Sequence, residues 1–366
     1  MSEGLPYFLI GTAKGLVVYK KVGEELPTLS AIHFAGFSIN MLFVDERNGQ
    51  WWAGISHKHW GQKLHYTDDL GATWQNAVIP KFDGELMPDG KPARLRGLWC
   101  MQHGGTDHPD RLWLGTDPGG LFRSEDNGQS WQLVESLWNH ASRQEEGKWF
   151  GAGSDFPFIH SIERHPTDSD HIYIAVSCAG VFETRDAGRS WAARNNGLIA
   201  AYLPNPDVEV GHDPHKLIIC KSDPQILWQQ NHCGIFFSGD GGNQWMDVSE
   251  RKGIPNYGFS IVIDHEEPSR AWVIPVESDE SRIAPGLKME VYHTEDFGKT
   301  WRSESKGLPT EQVFDIVLRQ AFDLGSGGFM MGTTNGNVFY SDKEKMHWRM
   351  ITSHLTKVNV IISTLV

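Results

Sequence analysis

Three histidines, His160, His215 and His232, are the residues of this 366-residue chain best suited to do chemistry. Imidazole titrates near neutrality, so each could act as a general acid or base. Together they could hold one divalent transition metal ion and leave positions open for water or substrate. Glu277 and Asp279 lie in a polar stretch, 275–289, that also carries Glu280 and Arg282. Two carboxylates flanking a bond are what glycoside hydrolysis requires, and Asp155, Asp213 and Asp315 are further acids that could form such a pair. Asn40, Trp99, Asn231, Arg282 and Trp60 complete the set as candidate substrate-binding residues. Trp60, Trp138, Trp149 and Tyr257 could stack on sugar rings or equally roof long loops. With 17 histidines in the chain, any one of them could instead be a hydrogen-bonded structural residue.

Residues this far apart need a scaffold that gathers them, and a repeat supplies it. The pattern S/T-x-D-x-G-x-x-W occurs at 67–74, 124–131, 184–191, 238–245 and 294–301. A sixth copy, 341–348, keeps the ends and lacks the central Asp and Gly. An Asp side chain can close a turn by accepting backbone N–H groups one or two residues on, and glycine supplies a positive φ. The Ser or Thr hydroxyl is expected to tie the turn to the preceding strand, and the Trp to bury its ring against the next sheet. Asp69, Asp126, Asp186, Asp240 and Asp296 are therefore read as turn acceptors rather than catalysts.

The runs around these turns alternate as strands do. In one unit, 158–163, 171–176, 180–184 and 190–193 form four successive strands. Units of about 40 to 50 residues with four strands are the signature of a propeller blade. Near the N-terminus, 8–12 and 15–19 copy two middle strands, and the C-terminal run 358–362 has inner-strand character. Placing that run in blade one closes the ring and removes two exposed edges. The expected fold is all-β, residues 1–366 forming a single seven-bladed β-propeller of four-stranded antiparallel blades, closed by the C-terminal strand in blade one.

In such a ring the repeated turns crowd one end, and the irregular connections gather at the other. These are the loops 56–62, 229–233 and 275–289 and the long connections 80–97, 136–157 and 197–214. Innermost strands are expected to turn Asn40, Trp99, His160, His215, Lys216, Phe259, Asp315 and Asn359 into the channel mouth. The result is a polar funnel floored by His160, His215 and His232, with Glu277 and Asp279 at its rim.

The eight-residue pattern resembles the Asp-box, or BNR repeat, of sialidases, related glycoside hydrolases, sortilin-type receptors and a photosystem II assembly factor. The whole chain resembles the single-propeller, sialidase-like BNR proteins classed with glycosyl hydrolases. That resemblance implies a hydrolase or lyase taking a glycan or small molecule in the funnel. It equally implies a non-enzymatic binding or assembly propeller using the same face for a protein partner, because function lives in a site and not in a fold. Sialidases begin their arginine triad with an Arg-Ile-Pro motif in the first blade. Here 8–14 holds no arginine, and Arg282-Ile283-Ala284-Pro285 falls in the sixth blade, which speaks against a true sialidase.

Composition narrows the partners. Lys and Arg total 33 against 46 Asp and Glu, a formal charge of -13, unsuited to nucleic acid or an anionic membrane surface. No window approaches the roughly 18 apolar residues of a membrane span, and the N-terminus shows no secretory pattern. Cys100, Cys178, Cys220 and Cys233 match neither a disulfide framework nor a CxxC zinc site, so a reducing, cytoplasmic setting is expected. No G-x-S-x-G, Walker-type loop or H-E-x-x-H is present.

Overall fold

Strands buried on both faces dominate the molecule. Ile172–Val176 shows how they work: Ile172, Ile174 and Val176 join a core with Trp113 and Phe182, while Tyr173 and Ala175 join another with Leu217, Ile219 and Trp245. A period of two thus divides one strand between two neighbouring cores. The computed structural model describes residues 4–57, 59–145, 148–151, 154–249 and 253–366. Residues 1–3 at the start, Lys58 in the loop 56–62, and 146–147 and 152–153 in the connection 136–157 lie outside these. Helix among the described residues is confined to Glu135–Trp138, Ala141–Gln144 and a 3-10 turn, Pro285–Leu287.

Among the described residues, five four-stranded antiparallel sheets have innermost strands Ser38–Asp45, Gly97–His103, Ile159–Arg164, Pro214–Ile219 and Gly258–Ile263. A further eight-stranded sheet joins the group that begins with Val317–Gly325 to the C-terminal strand Val358–Leu365 and the three N-terminal strands. These halves meet through a parallel pairing at Gln320 and Val360. Val358–Leu365 pairs antiparallel with Pro6–Thr12, so both ends of the chain share one sheet. Innermost strands also touch in sequence, each against the next, and Val358–Leu365 touches Ser38–Asp45. The arrangement is that of a β-propeller.

The repeated turns are built from their own side chains. Thr184 Oγ1 donates to Asp186 Oδ1 (2.8 Å) and accepts the Gly188 N–H (2.9 Å). Ser190 donates its N–H to Asp186 Oδ1 (2.9 Å) and its hydroxyl to Oδ2 (2.6 Å). The turns at Asp69, Asp126 and Asp296 repeat these bonds. The expected wiring is corrected in two respects: the Asp accepts from the residue four positions on, and the hydroxyl ties to the Asp rather than to the strand. Gly188 sits at φ 81°, a left-handed conformation that glycine adopts without strain. Trp131, Trp245, Trp301 and Trp348 donate their indole N–H to the carbonyls of Val78, Arg194, Val248 and Glu304. Each acceptor lies one residue past the last strand of the preceding sheet, so the indoles link neighbouring sheets.

The innermost strands share an irregularity that matters for function. Register slips between Ile39 and Met41, Leu98 and Cys100, Ile159 and Ser161, Pro214 and Lys216, and Gly258 and Ser260. The extra residues are Asn40, Trp99, His160, His215 and Phe259, and Asn359 is skipped in the same way opposite Gly11 and Thr12. A β-bulge re-aims a side chain that regular pleating would point at a neighbouring sheet. In Val317–Gly325 the slip is wider, from Val317 to Phe322, and takes in Arg319 and Gln320.

Candidate functional site

Three segments converge on one carboxylate. The connection 197–214 delivers Asp213 immediately before its strand, and the first bulge of that strand delivers His215. His232 comes from the tight link between Leu227–Asn231 and Gly234–Ser238, and its N–H donates to the Asp213 carbonyl (2.9 Å). Asp213 is buried, and its Oδ1 accepts the Ser177 hydroxyl and the Cys178 N–H, both at 3.1 Å. Its Oδ2 faces His215 Nε2 at 3.3 Å and His232 Nδ1 at 3.5 Å. The far nitrogens are anchored too: His215 Nδ1 lies 2.5 Å from the Gly258 carbonyl, and His232 Nε2 lies 3.5 Å from Asp279 Oδ2. A carbonyl oxygen only accepts, so His215 Nδ1 carries a proton.

Aromatic rings wall this cluster. Phe259 stacks on His215 (4.8 Å), Tyr257 stands edge-on to both imidazoles, and Tyr202 stands edge-on to His232. Arg319 lies over the Phe158 and Phe259 rings (5.4 and 5.2 Å), and Arg282 lies over Phe259 (5.4 Å). Burial pushes the Asp213 carboxyl upward, but the His215 and His232 imidazoles and the Arg319 charge outweigh it and hold it well below the usual range. Burial lowers His215, against the pull of Asp213. Cys178, at φ 54°, is pushed up to about 12 by burial and by Asp213. It is therefore a thiol at neutral pH and no nucleophile, and its left-handed backbone serves to aim its N–H at Asp213.

Of the residues singled out in the sequence, His215, His232 and Asp279 meet around Asp213. His160 is buried apart from those donors, with Nδ1 3.0 Å from the Ser161 hydroxyl and a pKa lowered to about 3 by burial and by Arg319. Glu277 closes its own loop by accepting the Gly286 N–H. Arg282 donates to the Asp279 carbonyl (3.1 Å). Asn231 is buried in its turn, between the Gln229 side chain and the Cys233 N–H. Asn40 accepts from Ser38 and Asn359, and Trp99 stacks on Phe158 at 4.3 Å. Trp60 stands 73% exposed beside His57, and Asp155 pairs with Arg96. Trp138 and Trp149 are buried around Arg143, roofing their connection.

Asp315 precedes the strand that begins at Val317 and accepts from Asn337 (2.7 Å). It is Arg319 of that strand, and not Asp315, that stands over the Phe158 and Phe259 rings beside the cluster. Arg319 had no local sequence signal. Asp213 did: it is the acid of a Gly-His-Asp-Pro-His run leading into a strand. Beyond the cluster, an axial cavity of about 850 Å³ runs between the innermost strands, lined by Glu163, Lys216, Gln320 and Asp323, and Asp213 and His232 take no part in it. No helix of the described residues is long and apolar enough to cross a membrane.

Known proteins bear on this architecture. A family profile described as Sortilin, neurotensin receptor 3 (Sortilin-Vps10) matches residues 119–324, more than half of the chain. The oligoxyloglucan-reducing end-specific xyloglucanase of Emericella nidulans is 23% identical over 226 residues, 54% of this chain and 26% of that enzyme. The chain thus spans about a quarter of the length of this relative. Among solved structures, the periplasmic gluconolactonase of Pseudomonas aeruginosa superposes with a TM-score of 0.60 at 13% identity, covering 99% of both chains. YCF48 bound to D1 peptide superposes with a TM-score of 0.52 at 14% identity, covering 98% of this chain and 87% of the other. An ancestral GH74 enzyme matches 89% of this chain and 38% of its own, with a TM-score of 0.53 at 14% identity. At these identities the superpositions speak for the fold alone.

Proposed function

The chain belongs to the Sortilin-Vps10 family, and we propose that it is a hydrolase-like propeller acting on a carbohydrate or small sugar-derived molecule at the Asp213–His215–His232 cluster. The ring is read as seven blades of the Asp-box type, closed through the C-terminal strand. Supporting this are the unbroken cycle of contacts among innermost strands and the pairing of Val358–Leu365 with Pro6–Thr12. The relatives named above include a xyloglucanase and a gluconolactonase, names that denote cleavage of a carbohydrate chain and of a sugar lactone. The four cysteines are unpaired, which suits the expected cytoplasmic setting.

One observation carries the reading: a buried aspartate, ionised at neutral pH, gathers two imidazoles, with an exposed carboxylate, Asp279, on the far side of one of them. In the proposed reaction, water bound at the cluster transfers a proton to Asp279 as its oxygen attacks the scissile carbon. The fixed charge of Asp213 holds the two imidazoles in place around that water. Arg282 and Arg319 face the negative charge that develops on the substrate oxygen, and the proton on Asp279 passes to the departing oxygen.

The test is a panel of xyloglucan oligosaccharides, aryl glycosides and aldonolactones assayed with wild type, Asp213→Asn and Asp279→Asn. Turnover of one class, lost in both variants, supports the reading; turnover equal in all three proteins removes this cluster as the site. A second reading, peptide binding in an assembly role, is favoured by the exposure of Trp60 and Phe37 on either side of His57. Peptide binding that is lost in Trp60→Ala and kept in Asp213→Asn supports it.

A further inference from the structure

We propose that Asp213, His215 and His232 bind one divalent first-row transition metal ion, through Asp213 Oδ2, His215 Nε2 and His232 Nδ1. The inference rests on the reading of this cluster as the functional centre and names what binds water there.

Three features of the geometry point to a cation. The first is spacing. The donor atoms of the three residues all lie within 4.8 Å of one another, and two of the separations are 3.3 and 3.5 Å. Those values are long for hydrogen bonds to a carboxylate. They match the edge of a coordination tetrahedron, since donors about 2.1 Å from a central ion stand about 3.4 Å apart.

The second is the tautomer of His215. Its Nδ1 proton is committed to the Gly258 carbonyl, so in the neutral ring the Nε2 lone pair points at a carboxylate oxygen. Two electron pairs facing each other in a buried site need a positive charge between them. A metal ion supplies it without charging the ring.

The third is the anchoring of every ligand from behind. His215 is held by a backbone carbonyl, His232 by Asp279, and Asp213 by Ser177 and the Cys178 N–H, which leaves only Oδ2 to coordinate. Histidines fixed through their remote nitrogen by a carbonyl or carboxylate are the usual support of a metal site. Two nitrogens and one oxygen suit zinc, cobalt, manganese or iron better than calcium or magnesium. Arg319 adds positive charge nearby, and Asp279 opposes it at the rim.

The test uses the full chain, prepared without a histidine tag and stripped with a chelator. Zn²⁺ is titrated by calorimetry, and Co²⁺ by visible absorption. One ion per chain is expected, with cobalt bands of nitrogen and oxygen ligation. His232→Ala should weaken binding at least ~100-fold, and Asp279→Asn about 10-fold, both with unchanged circular dichroism. His232 is part-exposed, so its removal leaves the metal-free fold testable. Substoichiometric binding by wild type, or equal affinity in His232→Ala, overturns the proposal. Hydrolysis undiminished in the metal-free protein removes the ion as the group that binds the attacking water and leaves the hydrolase reading standing. One bound ion without turnover of any panel substrate keeps the metal site and removes that reading.

Discussion

Asp186 and Asp213 are both aspartates held below the usual carboxylate range, and they are held by different means. Asp186 is solvent-facing. Burial pushes its carboxyl upward, and the hydrogen bonds from Ser190 and Thr184 together outweigh that push and bring it down to about 2. Its side-chain partners lie within four residues along the chain. Asp213 is buried, and its partners come from separate segments at Ser177 and Cys178, His215, and His232. A carboxylate that collects neighbours in sequence makes a turn. One that gathers the His232 imidazole and the Arg319 guanidinium from far along the chain, beside its near neighbour His215, holds a constellation, and burying that much polarity costs stability.

Substitutions that separate the two roles test this contrast. Asp213→Asn should reduce turnover by roughly 10³-fold, measured as kcat/KM on whichever panel substrate is cleaved, with circular dichroism unchanged. At the opposite end, Trp245→Ala removes a buried indole and its bond to Arg194, and should destabilise by about 3–5 kcal/mol in urea unfolding. The folded fraction of that variant should keep wild-type activity. If turnover falls in proportion to more than the unfolded fraction, the two ends are coupled and the contrast fails.

A third carboxylate sharpens the comparison by going the other way. Glu163 lines the axial cavity, and burial pushes it up to about 7 despite a bond from the Ile219 N–H. Its folded pKa lies above its unfolded value, so its favourable contribution is complete below about 4.5 and is lost as pH rises through 7. Glu163→Gln should therefore raise Tm by a few degrees at pH 8 and change little at pH 4. A gain at pH 4 equal to that at pH 8 would mean that the carboxyl is not desolvated.

The smallest effect is expected from Asp186→Asn, a Tm drop of about 2–4 °C with unchanged turnover. Asp69 and Asp186 have folded values of about 2, below the unfolded 3.8, so their support is present above that value and fades as pH falls toward 2. Acid unfolding followed between pH 4 and 2 should accordingly be shallower in Asp186→Asn than in wild type.

The turns and strands were legible along the chain because their chemistry is local. Thr184, Asp186, Gly188 and Trp191 stand at set offsets, and the alternation of Ile172–Val176 shows a strand buried on two sides. His232 and Asp279 could be nominated from the irregular loops that hold them, and His215 from its place on an innermost strand. Asp213 carries a local sign as well, as the acid of a Gly-His-Asp-Pro-His run, but nothing along the chain marks it as their centre until the fold sets it behind two rings. His160 was nominated on the same grounds as His215, its place on an adjacent innermost strand, and both occupy bulges there. What separates them is an acid before the strand in one case and Phe158 in the other, together with the rotation each bulge imposes.

Residue order therefore sufficed for the repeat and the strand pattern, since both depend on contacts a few positions apart. Folding alone decided which imidazoles share a carboxylate, that Arg319 rather than Asp315 stands beside them, and which nitrogen of His215 keeps its proton. Those outcomes turn on bulges and strand starts that shift a side chain by one residue, and in a strand one residue changes the face to which it points.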